Sequence, residues 1–214
     1  MNDREEERFW EPQYKWGFGS GAGSRDRVLE FKVDFVNGII KDYGVRTIFD
    51  FGCGDSRFIS LLYIKDYFGI DISKSAIEIS RNRVRNMMGN FRFEIGHFWE
   101  YTPEVIRDKF SSSLDCVMCI DVLYHILDRE VLVKTLENIF DSLAKVIILY
   151  THPFGAIKKD KDLTPQGMYP RNIVPILKNI VDGYKIIKET KPVFGSGAGF
   201  IVYRKDSIYS IVSK

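Results

Sequence analysis

Apolar and polar positions recur along this chain in two rhythms, and their order predicts a fold. Val28, Leu29, Phe31, Val33, Phe35, Val36, Ile39 and Ile40 fall close to helical spacing, which predicts a helix over 28–43 stopped by Gly44. Short apolar runs of strand length follow at 45–51, 67–72, 91–95, 114–121 and 144–150. Between them the spacing predicts a short helix at 56–62, a helix at 74–88 capped by Ser73, one near 103–110 and one at 128–143. The run at 144–150 is unbroken, as expected for a strand covered on both faces. A long polar connection over 151–171 leads to a helix at about 172–181. Two final strands, 184–190 and 199–204, have a glycine-rich turn and no helix between them, so they pair as an antiparallel hairpin. The prediction is an α/β fold: a doubly wound, seven-stranded, mostly parallel sheet with a C-terminal antiparallel hairpin.

Residues 1–27 stand apart from this pattern, giving an N-terminal extension ahead of a domain at 28–214. Residues 1–8 read as a charged, solvated lead-in. In 9–25, aromatics crowd one end and Gly17, Gly19, Gly21 and Gly23 the other; ordering so many glycines in a helix or strand is entropically expensive. Two readings stay open: a flexible leader whose aromatics pack on the domain, or a lid hinged on the glycines, with Trp16 and Phe18 excluding water.

Composition narrows the function classes. Lys plus Arg number 31 and Asp plus Glu 29, so no global field selects a polyanion. With neither an apolar leader nor a membrane-length apolar run, a cytoplasmic location is expected. Cys116 and Cys119 have C-x-x-C spacing, but on a strand they point to opposite faces. They read as small buried hydrophobes, and no metal ligand set is assigned.

The chemistry concentrates where strands hand over to helices. Asp50, Asp71, His97 and Asp121 each end a strand, which gathers them at the crevice outside the carboxyl edge of the sheet. Gly52 and Gly54 follow the first strand, and Asp71 lies about 20 residues on, the spacing of a ribose-binding acid. A nicotinamide dinucleotide is disfavoured because the third position of its glycine fingerprint is Arg57. A P-loop is excluded by the missing Gly-Lys-Ser/Thr ending. An acidic mouth built from Asp50 and Asp55 suits a cationic cofactor better than a pyrophosphate.

With these residues the chain resembles the class I S-adenosylmethionine-dependent methyltransferases. The matching stretches are Phe49-Asp50-Phe51-Gly52-Cys53-Gly54, then Gly69-Ile70-Asp71, then the fourth-strand motif from Leu114 through Asp121 to His125. The resemblance covers about 28–204, and Ser56 stands where the family often has a third glycine. It implies S-adenosyl-L-methionine as cofactor, with Asp50, Gly52 and Gly54 at its methionine part. It also implies Asp71, with Ile72 beside it, at the ribose, His97 and Phe98 flanking the adenine, and Asp121 near the methionine end and the acceptor.

Methyl transfer from a sulfonium needs in-line positioning, and a general base only for a poorly acidic acceptor. The candidates are Asp121, His125 and His152, with His152 expected to be the base and His125 to pack beneath the cofactor. The sequence after the fourth strand, Asp121-Val122-Leu123-Tyr124, lacks the paired prolines of amino-methylating DNA enzymes, and no Pro-Cys pair is present. The expected acceptor is therefore a small-molecule or saccharide hydroxyl, with nucleic acid disfavoured. The Trp-Gly pattern at 16–24 is similar to that of small methyltransferases of surface-polysaccharide and natural-product pathways. A basic cluster, Lys158-Lys159-Asp160-Lys161, is placed near the mouth. The alternatives are an RNA, DNA or protein methyltransferase, or a cofactor-binding module without catalysis.

Overall fold

A sheet whose strands are buried on both faces needs helices on both sides, and the chain supplies them. The computed structural model describes residues 4–110, 113–152, 173–193 and 197–206. The strands are β1 (Thr47–Phe51), β2 (Asp66–Asp71), β3 (Asn90–Ile95), β4 (Cys116–Ile120), β5 (Val146–Thr151), β6 (Tyr184–Glu189) and β7 (Gly199–Lys205). They form one sheet in the order β3-β2-β1-β4-β5-β7-β6. The first five pair in parallel, and β7 runs antiparallel between β5 and β6. The helices are α1 (Arg4–Lys15), α2 (Asp26–Tyr43), α3 (Lys74–Val84), α4 (Pro103–Asp108), α5 (Arg129–Asp141) and α6 (Val174–Ile180).

Alternate residues of the central strands feed two cores. Phe49, Phe51, Val117 and Cys119 join one; Ile48, Cys116, Met118 and Ile148 join the other. The two cysteines of the C-x-x-C spacing thus lie on opposite faces of the sheet, both buried and free. Strand order reverses between β1 and β4, so the switch point where such sheets hold ligands lies at the carboxyl ends of those two strands.

The predicted architecture holds, with differences at two places. The short helix expected at 56–62 is reduced to a 3-10 turn at Ile59–Leu61, preceded by Ser56 in a left-handed conformation (φ 55°). The N-terminal extension is not a solvated lead-in: α1 spans Arg4–Lys15 with Pro12 inside it. Most of the 151–171 connection, with Lys158-Lys159-Asp160-Lys161, lies outside the described residues, as do Gly195 and Ser196 of the hairpin turn. No described helix is long and apolar enough to cross a membrane.

Candidate active site

The site begins with a strand that cannot continue. After Phe51 the chain turns through Gly52 (φ 79°) and Gly54 (φ 54°), a region that side chains with a Cβ rarely adopt. The amides of Gly52 and Cys53 both donate to the Ile70 carbonyl, at 2.8 and 2.9 Å, which locks the turn onto β2. A Cβ on Gly52 would lie 2.3 Å from Cγ2 of Val122, so the turn passes directly against the loop that follows β4. A Cβ on Gly54 would meet Ser20 Oγ at 2.7 Å and the Tyr14 hydroxyl at 2.8 Å. The glycines therefore admit close approach from the sheet side and from the N-terminal extension.

Two buried carboxyls flank the turn. Asp71 accepts from the Gly54 amide through Oδ2 and the Ser73 amide through Oδ1, each at 2.9 Å. Burial is the main influence on Asp71 and raises its pKa to about 6, against the lowering effect of those amides. An ionised carboxylate has about four acceptor sites, so capacity remains for a further donor beyond the amides of Ser73, Gly54 and Ile72. Asp50 accepts from the Tyr67 hydroxyl at 2.6 Å. Burial, opposed by that bond and assisted by the charge of Asp71, raises its pKa to about 7.

Around this floor lies a cavity of about 500 Å³, a size suited to a nucleoside-bearing small molecule. Asp50, Gly52, Gly54, Asp71, Ile72, His97, Phe98, Asp121 and His125 all line it. Phe98 meets Phe51 edge-on at 5.9 Å, and His97 stacks on Trp99 at 4.5 Å. Among the sequence-derived candidates, His152 is not on the cavity wall. Its imidazole meets the Tyr124 ring edge-on at 4.9 Å, and burial lowers its pKa despite the opposing charge of Asp121. His125 is on the wall instead, edge-on to Trp10 at 4.8 Å.

The opposite wall is built by a helix that the sequence reading, with its open choice of packed leader or lid at 9–25, did not predict. Glu6, Phe9, Trp10, Gln13 and Tyr14 of α1 line the cavity, at spacings of three and four that place them on one helical face. That periodicity was the available signal; Pro12 and the glycines beyond it obscured it. Glu11 pins α1 to the start of α3, accepting from Ser73 Oγ (2.7 Å), the Ser75 amide (3.1 Å) and Ser75 Oγ (2.6 Å). Burial works to raise its pKa, but these bonds prevail and lower it. Glu6 accepts from the Leu127 amide, and Ser20 bridges the Tyr14 hydroxyl and Asp55. Trp16 and Phe18, expected to exclude water, are 69% and 56% exposed; the aromatics on the cavity are Phe9, Trp10 and Tyr14.

At the β4 end, Asp121 adopts a left-handed conformation (φ 63°) and is paired with Lys32 of α2. Its Oδ1 accepts from the Tyr124 hydroxyl at 2.7 Å. Both members of the pair face the cavity.

These features fit the cofactor implied by the sequence resemblance: a buried acceptor for hydroxyl donors, bare backbone at the turn and mixed charge beyond it. A family model described as a methyltransferase domain matches residues 44–193, more than half of the chain. Among curated proteins, small RNA 2'-O-methyltransferases of Rattus norvegicus and Mus musculus are each 23% identical, over 60% and 61% of this chain. This chain covers 34% and 36% of their lengths. Among solved structures, the N-methyltransferase NodS of Bradyrhizobium japonicum with S-adenosyl-l-homocysteine superposes with a TM-score of 0.66 at 12% identity, covering 93% of this chain and 100% of that one. Magnesium protoporphyrin IX methyltransferase of Synechocystis, with bound SAM, gives 0.64 at 16%, covering 96% and 98%. The methyltransferase domain of bacterial CtHen1 gives 0.60 at 17%, covering 82% and 97%. The expectation that nucleic acid is disfavoured is overturned by the curated relatives, whose names specify small RNA. Its physical weakness is that near-balanced charge over a whole chain says nothing of how charge is distributed locally.

Proposed function

Since the chain belongs to the class I S-adenosylmethionine-dependent methyltransferase family, we propose that it methylates a hydroxyl oxygen, and that a ribose hydroxyl of RNA is among its acceptors. The observation that carries the oxygen reading is His125 on the cavity wall beside Asp121 and Tyr124. A sugar hydroxyl is too weak an acid to react without losing its proton to a nearby base, and an imidazole is the usual one. The ribose reading is supported by the names of the curated relatives.

The cofactor supplies a methyl group already activated on a sulfonium. The residues of this chain bind and orient. Asp71, with Ile72 beside it, would accept from the ribose hydroxyls, while His97 and Phe98, also on the cavity wall, would border the adenine. Asp50, Gly52 and Gly54, on the same wall, would hold the methionine part. In this proposal α1 serves as a lid that keeps water out through Trp10 and Tyr14, which makes in-line geometry effective. When bound, the cofactor would give up its methyl carbon to the acceptor oxygen and keep the carbon–sulfur electron pair on sulfur, and His125 would take the hydroxyl proton.

A tritiated-methyl assay tests this. Short single-stranded RNA, the same RNA with its terminal ribose opened by periodate, and an RNA-free metabolite extract are offered side by side. Base-stable label on a ribose oxygen of the RNA is the expected result, and its loss on periodate treatment would place it on the terminal ribose. His125→Asn should lower kcat by about 100-fold or more with little change in KM. Label carried only on nitrogen or sulfur overturns the oxygen reading, and label confined to the RNA-free extract overturns the ribose reading.

A further inference from the structure

The cavity is lined mostly by acids where charge appears at all. Glu6, Asp50, Asp55, Asp71 and Asp121 contribute carboxyls, whereas its lysines and arginines are Lys32 and Arg57. Arg57 is exposed at the rim. Lys32 is 2% exposed, and a lysine so placed needs compensation. It finds this in Asp121, in the Gly23 carbonyl at 2.8 Å and in the Tyr150 ring, whose centroid lies 4.2 Å from Nζ. Burial still lowers its pKa, with Asp121 pulling the other way. Structural packing alone would not require a lysine here, because an apolar side chain avoids the desolvation altogether. The position matters: α2 brings Lys32 to the β4 side of the switch point, across β1 from Asp71.

We propose that Lys32 and Asp121 together form the recognition site for the amino-acid end of the cofactor, Lys32 taking its carboxylate and Asp121 its ammonium. This rests on the methyltransferase reading and deepens it. The end opposite adenosine is a zwitterion, and this pair presents one fixed charge of each sign. Each partner also has bonding capacity left. An ammonium has three donors, of which Asp121 and Gly23 occupy two. A carboxylate has about four acceptor sites, of which Lys32 and Tyr124 occupy two. The ligand's charges thus join an array already neutral overall, and neither protein charge loses its partner. The same lysine holds Gly23, so the glycine strap is tied to the amino-acid site. A Cβ at Gly23 would lie 3.1 Å from Asp121 Oδ2.

The test measures binding, not turnover. Calorimetry compares S-adenosylhomocysteine, its decarboxylated analogue and methylthioadenosine, which lacks the whole amino-acid end. Lys32→Met should weaken S-adenosylhomocysteine roughly 10- to 100-fold and leave methylthioadenosine within about twofold. Lys32→Arg should restore part of the difference. Equal losses for both ligands, or a selective loss in Arg57→Gln in place of Lys32→Met, overturn the proposal. If Lys32→Met fails to fold, the wild-type protein decides: equal affinity for S-adenosylhomocysteine and the decarboxylated analogue overturns it. Failure of the wild type to bind any of the three ligands sinks the cofactor assignment itself, a different result from binding that ignores Lys32.

Discussion

The floor and the roof of the cavity are built by different means. The floor is the carboxyl edge of β1, β2 and β4, held by sheet pairing, by amides bonded to the Ile70 carbonyl and by two apolar cores. The roof is α1 with the strap at 16–25, attached through a few side chains: Glu6, Glu11, Tyr14, Ser20 and Lys32. Sheet hydrogen bonds in a packed core open only with global unfolding, whereas an element held by scattered side-chain bonds opens locally. The comparison teaches a division of labour: a floor fixed by sheet and core, suited to set cofactor geometry, and a more lightly attached roof, which fits the proposed lid.

The largest expected effect falls on the floor. Asp71→Ala removes the acceptor proposed for the ribose and also strands the amides of Gly54 and Ser73. Affinity for S-adenosylhomocysteine should drop at least about 100-fold by calorimetry, the cost of losing a charged acceptor and leaving buried donors unpaired. A smaller drop than any roof substitution produces would break the comparison.

Next comes a pH effect of about tenfold. Asp71 titrates near 6 and Asp50 near 7 in the folded protein, above the ordinary value of 3.8. Between about pH 4 and these values the folded state holds protons that the unfolded chain has released, so free-protein stability falls as pH rises. On the proposed role of Asp71, cofactor binding runs the other way, because ribose donors would favour its ionised form. S-adenosylhomocysteine affinity should rise about tenfold from pH 5 to pH 7, and that rise should vanish in Asp71→Asn.

The roof gives smaller numbers. Glu11→Ala removes the carboxylate that receives the Ser75 amide at the start of α3. The loss of such a cap is about 1 kcal/mol, or roughly fivefold in the closed-to-open ratio. Amide exchange within α1 should quicken by about that factor while β1 and β4 remain unchanged. Acidification should mimic the substitution: Glu11 has a lowered pKa, so its contribution is complete above the ordinary carboxylate value and is lost only below it. Uniform acceleration across the sheet would mean that floor and roof open together.

The same division explains what could be read without coordinates. The floor was legible because its signals are local: apolar runs ending in Asp50 or Asp71, and glycines where the strand must turn. The hairpin was legible from two strands with no intervening helix. The roof depends on partners far along the chain, Glu11 with Ser73 and Glu6 with Leu127, which no local pattern encodes. Lys32 is an intermediate case. It shares a helical face with the buried Val36, Ile39 and Ile40, so a lysine on that stripe was a visible anomaly, but its partner Asp121 was not assignable from spacing. His125 and His152 follow the same logic. Both lie near the carboxyl edge, and only the packed structure shows His125 on the cavity wall and His152 off it, against the Tyr124 ring.

The smallest expected effect is the sharpest check on where the roof ends. Trp16 and Phe18 are the aromatics that the lid reading of the sequence marks as water-excluding, yet they are exposed, and the Phe18 backbone carbonyl accepts from Arg25 at 2.6 Å. Truncating exposed rings removes little buried area, so Trp16→Ala and Phe18→Ala should leave stability within about 0.5 kcal/mol. They should leave S-adenosylhomocysteine affinity within about twofold, because Trp10 and Tyr14 line the cavity in their place. A loss of cofactor affinity comparable to that of Glu11→Ala would mean that the strap folds inward when ligand binds. An effect confined to the KM for RNA would assign the two rings to the acceptor, where stacking on a base is worth about 1–3 kcal/mol. In that case the roof would divide again, into an inner face that retains the cofactor and an outer edge that selects what is methylated.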